Sequence, residues 1–101
     1  SLQEVLFEAF GPGGVAILIT AVTDNNNRTN QEIKHIFTKA GFQLGAPGSA
    51  IWAFTKNDSE YQPNTPLQIS YEDGEKLANL IDQLEDQDDV QDIFTTADDI
   101  N

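Results

Sequence analysis

Glu4-Val5-Leu6-Phe7-Glu8-Ala9-Phe10-Gly11-Pro12-Gly13-Gly14-Val15-Ala16-Ile17-Leu18-Ile19-Thr20-Ala21-Val22 is the stretch from which the architecture follows. Glu4 to Phe10 alternates and reads as a strand. Gly11 to Gly14 supplies turn residues, and Val15 to Val22 reads as a second, more buried strand. Two strands joined by a short Gly/Pro link predict a hairpin. No apolar run is longer than Val15 to Ile19; it is strand-sized and far below the ~18 residues that span a bilayer.

Downstream, Thr29 and Glu32 have the spacing of a capping box. Ile33, Ile36, Phe37 and Ala40 follow at i, i+3, i+4, i+7, which predicts an amphipathic helix ended by Gly41 in a left-handed cap. After the loop Gln43 to Ser49, Ala50 to Phe54 reads as a third strand, Lys56 to Asn64 as a polar connector, and Thr65 to Ser70 as a fourth strand with Pro66 near its start. Ser70 is placed to cap a second helix with Leu77, Leu80, Ile81 and Leu84 as its stripe and Glu72, Asp73 and Glu75 in its first turn. Gly74 weakens that helix by about 1 kcal/mol relative to Ala. Asp88-Asp89 turn the chain, Val90 to Thr95 forms a last strand, and the tail from Ala97 is expected to fray. The order is β-β-α-β-β-α-β in an α+β fold. Without its first strand it is the pattern of a split βαβ sandwich, a mostly antiparallel sheet with both helices on one face. The expected core joins Ile33, Ile36, Phe37, Leu77, Leu80, Ile81 and Leu84 to Ile17, Ile19 and Trp52 or Phe54.

A chain of 101 residues holds one core, and 39% apolar with 22% charged residues is the composition of a folded domain. Cysteine is absent, which excludes disulfides and thiol chemistry. Methionine is absent even at position 1, so the chain is read as beginning after processing or at an engineered boundary. No secretion signal is visible, and a cytoplasmic location is expected. The net charge of −12 is uneven: residues 71–101 carry eleven of the seventeen acids and one base, Lys76. A polyphosphate is repelled by that segment and can approach only through residues 1–70, where the net is −2.

Catalytic patterns are missing. His35 stands alone, with no cysteine or second histidine to complete a metal site. No serine sits in a nucleophile elbow, and the carboxylates lie along a helix face and a turn. Asp24 to Thr29 fails as a calcium loop at Arg28 and at Thr29, where an oxygen ligand and a glycine are needed. Small acylphosphatases share the size and strand order, but their arginine-bearing phosphate loop is not reproduced by the Asn-rich stretch here. No enzyme, cofactor or metal is expected. One region stands out. Asn25, Asn26, Asn27, Arg28 and Thr29 lead from a strand into a helix N-terminus, where free N–H groups favour an anion, and Lys34, His35 and Lys39 follow. These eight residues are the candidate nucleic-acid surface. The competing reading makes the Asp/Asn run a turn that caps the helix.

Gly11 to Ala16, Thr23 to Thr29, Glu32, His35, Phe37, Lys39, Leu44-Gly45, Gly48-Ser49, Trp52 and Phe54 together resemble the signature of the YebC/PmpR family, and Leu84 to Thr95 resembles its closing stretch. Mitochondrial relatives in that family include a translational activator of cytochrome oxidase. The chain departs from the family at Asn26, where an arginine is usual, at Phe10, usually Tyr, and at Ala40-Gly41-Phe42, usually His-Gly-Gly. The family also carries a basic N-terminal helical domain and a further α+β domain inserted where this chain has Lys56 to Asn64. The resemblance implies the central domain alone. It implies a non-enzymatic role in gene expression, through transcription and DNA or through translation and the ribosome or RNA. Of these the acidic composition favours translation. By this resemblance the fragment itself binds nucleic acid weakly or not at all, meets no membrane, and lies in the cytoplasm, or in the mitochondrial matrix of a eukaryote. The rival from another class is a protein-interaction or small-ligand module.

Overall fold

In the computed structural model, which describes residues 1–98, the opening hairpin is the organising element. β1 (Gln3–Phe10) pairs antiparallel with β2 (Ala16–Thr23) over an unbroken register from Gln3↔Thr23 to Phe10↔Ala16. The connection is a 3-10 turn, Pro12–Gly14, in which Gly13 and Gly14 have φ of 76° and 83°. Gly13 is also a close approach, since a Cβ there would lie 2.5 Å from the Ile69 side chain.

α1 (Asn26–Lys39) carries the chain from β2 across β1 to the two-residue β3 (Leu44–Gly45), which pairs antiparallel with β1 at Glu8 and Ala9. β2 and β3 therefore run parallel with β1 between them, which is the split βαβ arrangement. The first strand fills the split. A 3-10 turn at Ile51–Ala53 leads into β4 (Phe54–Asn57), which pairs with β5 (Glu60–Pro63) as a separate two-stranded hairpin. After α2 (Tyr71–Glu85), β6 (Val90–Thr95) adds antiparallel to the free side of β2, giving the order β3-β1-β2-β6.

Both helices lie on one sheet face, and the fold is α+β as expected. Phe7, Ala9, Ile17, Ile19 and Ala21 meet Ile33, Phe37, Leu77, Leu80 and Leu84 there, with Ile36, Ile81 and Ile93 at the margin. Alternate residues of β2 point the other way. Ala16 and Leu18 pack with Ala50 and Phe54, flanked by Tyr61 and Phe94, in a smaller cluster under the 3-10 turn and the β4–β5 hairpin. β2 is apolar and buried from Ala16 to Ile19, where both of its faces are covered.

Several sequence expectations change. Phe54 belongs to the second cluster and Trp52 is exposed, so neither joins the helix-side core. The expected strand Ala50 to Phe54 is instead a 3-10 turn at Ile51–Ala53, too tightly wound to pair, and only Phe54 enters a strand, as the first residue of β4. The connector Lys56 to Asn64 holds the arms of the β4–β5 hairpin, turned by Asp58 at φ 59°. Thr65 to Ser70 forms no strand: Leu67 makes only an isolated bridge to Ala97, and Pro66 has no N–H for a ladder. That bridge, with Asp98 N–H donating to the Leu67 carbonyl at 2.8 Å, pins Ala97 and Asp98 rather than leaving them frayed. The remainder of the expected tail, residues 99–101, lies outside the described residues.

Candidate nucleic-acid interface

The helix begins a turn earlier than the capping-box spacing indicates. Asn25 is the N-cap, its Oδ1 accepting from Arg28 N–H at 3.1 Å, while its own N–H donates to the Thr23 hydroxyl at 2.9 Å. Thr29 lies inside α1, fully buried, its hydroxyl 2.8 Å from both the Thr23 hydroxyl and Asp89 Oδ2. Asn outcompetes a hydroxyl for the cap, and the buried Thr29 hydroxyl bonds more strongly to the half-buried Asp89 carboxylate than to a helix end. Glu32 does not reach back to the cap; its carboxylate accepts from Gln87 Nε2 at 2.9 Å.

Arg28 is enclosed by acids. Its guanidinium lies 2.7 Å from Asp89, 3.4 Å from Asp24 and 3.9 Å from Glu32, and Asp88 borders the same shallow depression. Asp89 Oδ2 accepts at once from Gln87, Arg28 and Thr29. The Gln87, Arg28 and Thr29 bonds, in that order of weight, hold the Asp89 carboxyl down at about 2. The Asp89 bond in turn raises the Arg28 pKa. An approaching phosphate would therefore meet four carboxylates around one satisfied cation. Arg28 ties the start of α1 to the turn before β6.

Among the candidate residues, then, Asn25, Arg28 and Thr29 are brought together as a helix-starting network. Asn26 and Asn27 are exposed in the first turn of α1. Lys34, His35 and Lys39 are exposed further along the helix. His35 borders the groove between the helices with Ile36, Gln83, Asp86 and Gln87. Among the described residues, every ion pair involves Arg28, so Lys34 and Lys39 have no carboxylate partner. Residues 26–39 contain Arg28, Lys34 and Lys39 against Glu32, a net of +2, while residues 71–85 contain five acids against Lys76, a net of −4. The helical face is thus split into a basic helix and an acidic one.

Glu8, Gln87 and Asp89 carry no local sequence motif that marks them as site residues. Glu8 is buried, and its carboxylate accepts from the N–H groups of Gly48, Ala50 and Ile51 at 2.7, 2.9 and 2.8 Å. Burial raises its pKa, but the three backbone bonds outweigh that and leave it below the usual range. Glu8 holds the loop that presents Trp52. Only the alternation of β1, which sends Glu8 to the face opposite Phe7, hinted at this. No group of three acidic or histidine side chains among the described residues is arranged to hold a metal ion, and no described helix is long and apolar enough to cross a membrane.

A family model described as "TACO1/YebC second and third domain" matches residues 2–59 and 54–97. A "probable transcriptional regulatory protein" of Thermoanaerobacter pseudethanolicus is 31% identical over 155 aligned positions, covering 93% of this chain and 63% of the relative. One of the same description from Methylacidiphilum infernorum is 41% identical over 92 positions, covering 81% of this chain and 37% of the relative. A crystal structure of a "conserved hypothetical protein" from Aquifex aeolicus superposes with a TM-score of 0.87 at 24% identity, over 96% of this chain and 65% of that one; this likeness speaks to the fold. The chain spans about 63% of the length of the Thermoanaerobacter relative, whose alignment of 155 positions against 101 residues leaves at least 54 without a counterpart here.

Proposed function

The chain belongs to the TACO1/YebC second-and-third-domain family, and from that premise we propose that it is a non-enzymatic, cytoplasmic domain of a gene-expression regulator whose α1 face meets RNA on the ribosome. The observation that carries the reading is the charge split. α1 is net positive, and Lys34 and Lys39 have no carboxylate partner among the described residues, on a chain of net charge −12. Arg28 takes the role of holding α1 in place, so the contact surface is the exposed run Asn27, Gln31, Lys34, Thr38 and Lys39. An acidic body limits the contact to this one face, which suits a shaped RNA–protein surface better than continuous duplex wrapping. The β4–β5 hairpin, where the two family-model matches overlap at residues 54–59, is taken as the place where relatives carry additional residues.

The test is association with ribosomes and with a 20-nucleotide RNA, measured as a function of salt on a full-length relative carrying this chain in place of its own matching region, because the chain alone is expected to bind weakly. The double variant Lys34→Glu/Lys39→Glu is expected to weaken both. It should reduce the slope of log K against log salt by ~0.7 for each of two phosphate contacts. Unchanged binding in the double variant would sink the reading. The relatives' printed description favours a second reading, transcription with duplex DNA. Tighter, α1-dependent binding to a DNA duplex than to RNA or ribosomes would select it.

A further inference from the structure

On the sheet face opposite α1, Phe10, Ala53, Trp52, Leu67, Asn64 and Thr96 line an open concavity of about 260 Å³. Three of the five exposed large hydrophobic side chains among the described residues stand there: Phe10 at 40%, Trp52 at 67% and Leu67 at 40% exposure. They are held rather than loose. The Trp52 indole N–H donates to the Ser49 carbonyl at 2.7 Å, and the Trp52 carbonyl accepts from Asn64 Nδ2 at 3.1 Å. Leu67 is fixed from both sides, its N–H donating to Thr96 and its carbonyl accepting from Asp98. Beneath Trp52, Glu8 gathers three N–H groups of the supporting loop. An exposed tryptophan in a fixed pose beside two apolar neighbours is the composition of a binding hot spot, with its ordering cost already met in the free protein.

Charge selects the occupant. Among the described residues, none that lines the concavity is charged. The acidic residues next to its rim are Asp98, held there by its backbone N–H donating to the Leu67 carbonyl, and Asp73, whose carboxylate lies 3.4 Å from where a Cβ on Gly13 would stand, next to the lining Gly14. A second copy of a chain carrying −12 is repelled, and so is a phosphate backbone. We propose that this concavity docks a short basic, amphipathic segment of a partner protein, one apolar anchor flanked by lysine or arginine. This surface is separate from α1, so the proposal stands or falls independently of the RNA reading.

Trp52 is the only tryptophan, which makes its fluorescence a built-in probe. The chain is titrated with three acetylated, amidated hexapeptides: Lys-Lys-Leu-Phe-Lys-Lys, Glu-Glu-Leu-Phe-Glu-Glu and Lys-Lys-Ser-Gly-Lys-Lys. A saturable blue shift is expected with the first alone. Phe10→Ser and Leu67→Ser, both at half-exposed positions and checked for folding by circular dichroism, should each weaken it at least about fivefold, while Lys34→Glu should leave it unchanged. Three results would overturn the proposal. One is an equal response to either control peptide. Another is undiminished binding by both serine variants. The third is a blue shift that grows with protein concentration alone, which would assign the patch to a second copy.

Discussion

Asp89 Oδ2 takes three donors, from Gln87, Arg28 and Thr29, and each of them prefers the carboxylate charged. Glu8 is in the same position with its three backbone donors. Both carboxyls are held below their ordinary values, Asp89 at about 2. The sign follows from linkage. A depressed folded pKa stabilises above the unfolded value, ~4 for these groups, and that stability is lost as pH falls through the folded value. Urea midpoints are therefore expected to fall between about pH 4.5 and pH 2. Asp89→Asn and Glu8→Gln should each lower the midpoint at pH 7 and flatten this decline. Variants whose midpoints follow the parent across the whole range would contradict the assignment. Thr29→Val removes a buried donor to Asp89 and leaves the Thr23 hydroxyl without its neighbour, at an expected cost of about 1–3 kcal/mol.

The two helices owe their position to apolar stripes and their ends to caps. Asn25 and Ser70 cap α1 and α2, the latter accepting from Asp73 N–H at 3.1 Å, and Gly41 leaves α1 at φ 90°. Replacing a cap is expected to cost about 1 kcal/mol, so Asn25→Ala should shift the midpoint modestly. The reverse holds at Thr29, where the sequence places the cap and the structure places a buried network. Leu80, 1% exposed in the middle of the helix-side core, should cost about 2–5 kcal/mol when cut to alanine. A loss below ~0.5 kcal/mol in denaturant melts would show that the stripe is not core. The β4–β5 hairpin depends on neither kind of signal. Phe54 and Tyr61 attach it to Phe94, with ring centroids 6.4 and 5.4 Å apart along that row.

Across the whole molecule, β2 ties the two clusters into one body, since its residues alternate between the helix side and the hairpin side. The unfolding of the two sides should accordingly coincide. Helical circular dichroism reports α1 and α2, and Trp52 fluorescence reports the opposite face. One shared midpoint is expected, and separated transitions would mean the hairpin side is an independent unit. A net charge of −12 also opposes compaction by self-repulsion. Raising sodium chloride from 0.05 to 0.5 M shortens the Debye length from roughly 14 Å to 4 Å and should raise the urea midpoint. A falling midpoint would show that the ion pairs around Arg28 outweigh that repulsion.

Elements with periodic burial are legible in the linear sequence: the opening hairpin, both helical stripes and the last strand; so is the lack of cysteine, which rules out thiol chemistry. It also carried the family resemblance, because ordered motifs such as Thr23 to Thr29 are local strings. Tertiary structure alone decided what those residues do. The capping-box spacing of Thr29 and Glu32 is a local rule, and it lost to bonds with Asp89 and Gln87, sixty and fifty-five residues away. Ala50 to Phe54 is apolar in the manner of a strand, yet Glu8 draws its backbone N–H groups into a turn from forty or more residues upstream. Arg28 reads from sequence as a free cation at a helix mouth and becomes a satisfied one because β6 delivers Asp89 to it. In each case folding brought a carboxylate and its donors together from distant parts of the chain, and such charge-assisted bonds outweigh the preferences that neighbouring residues express.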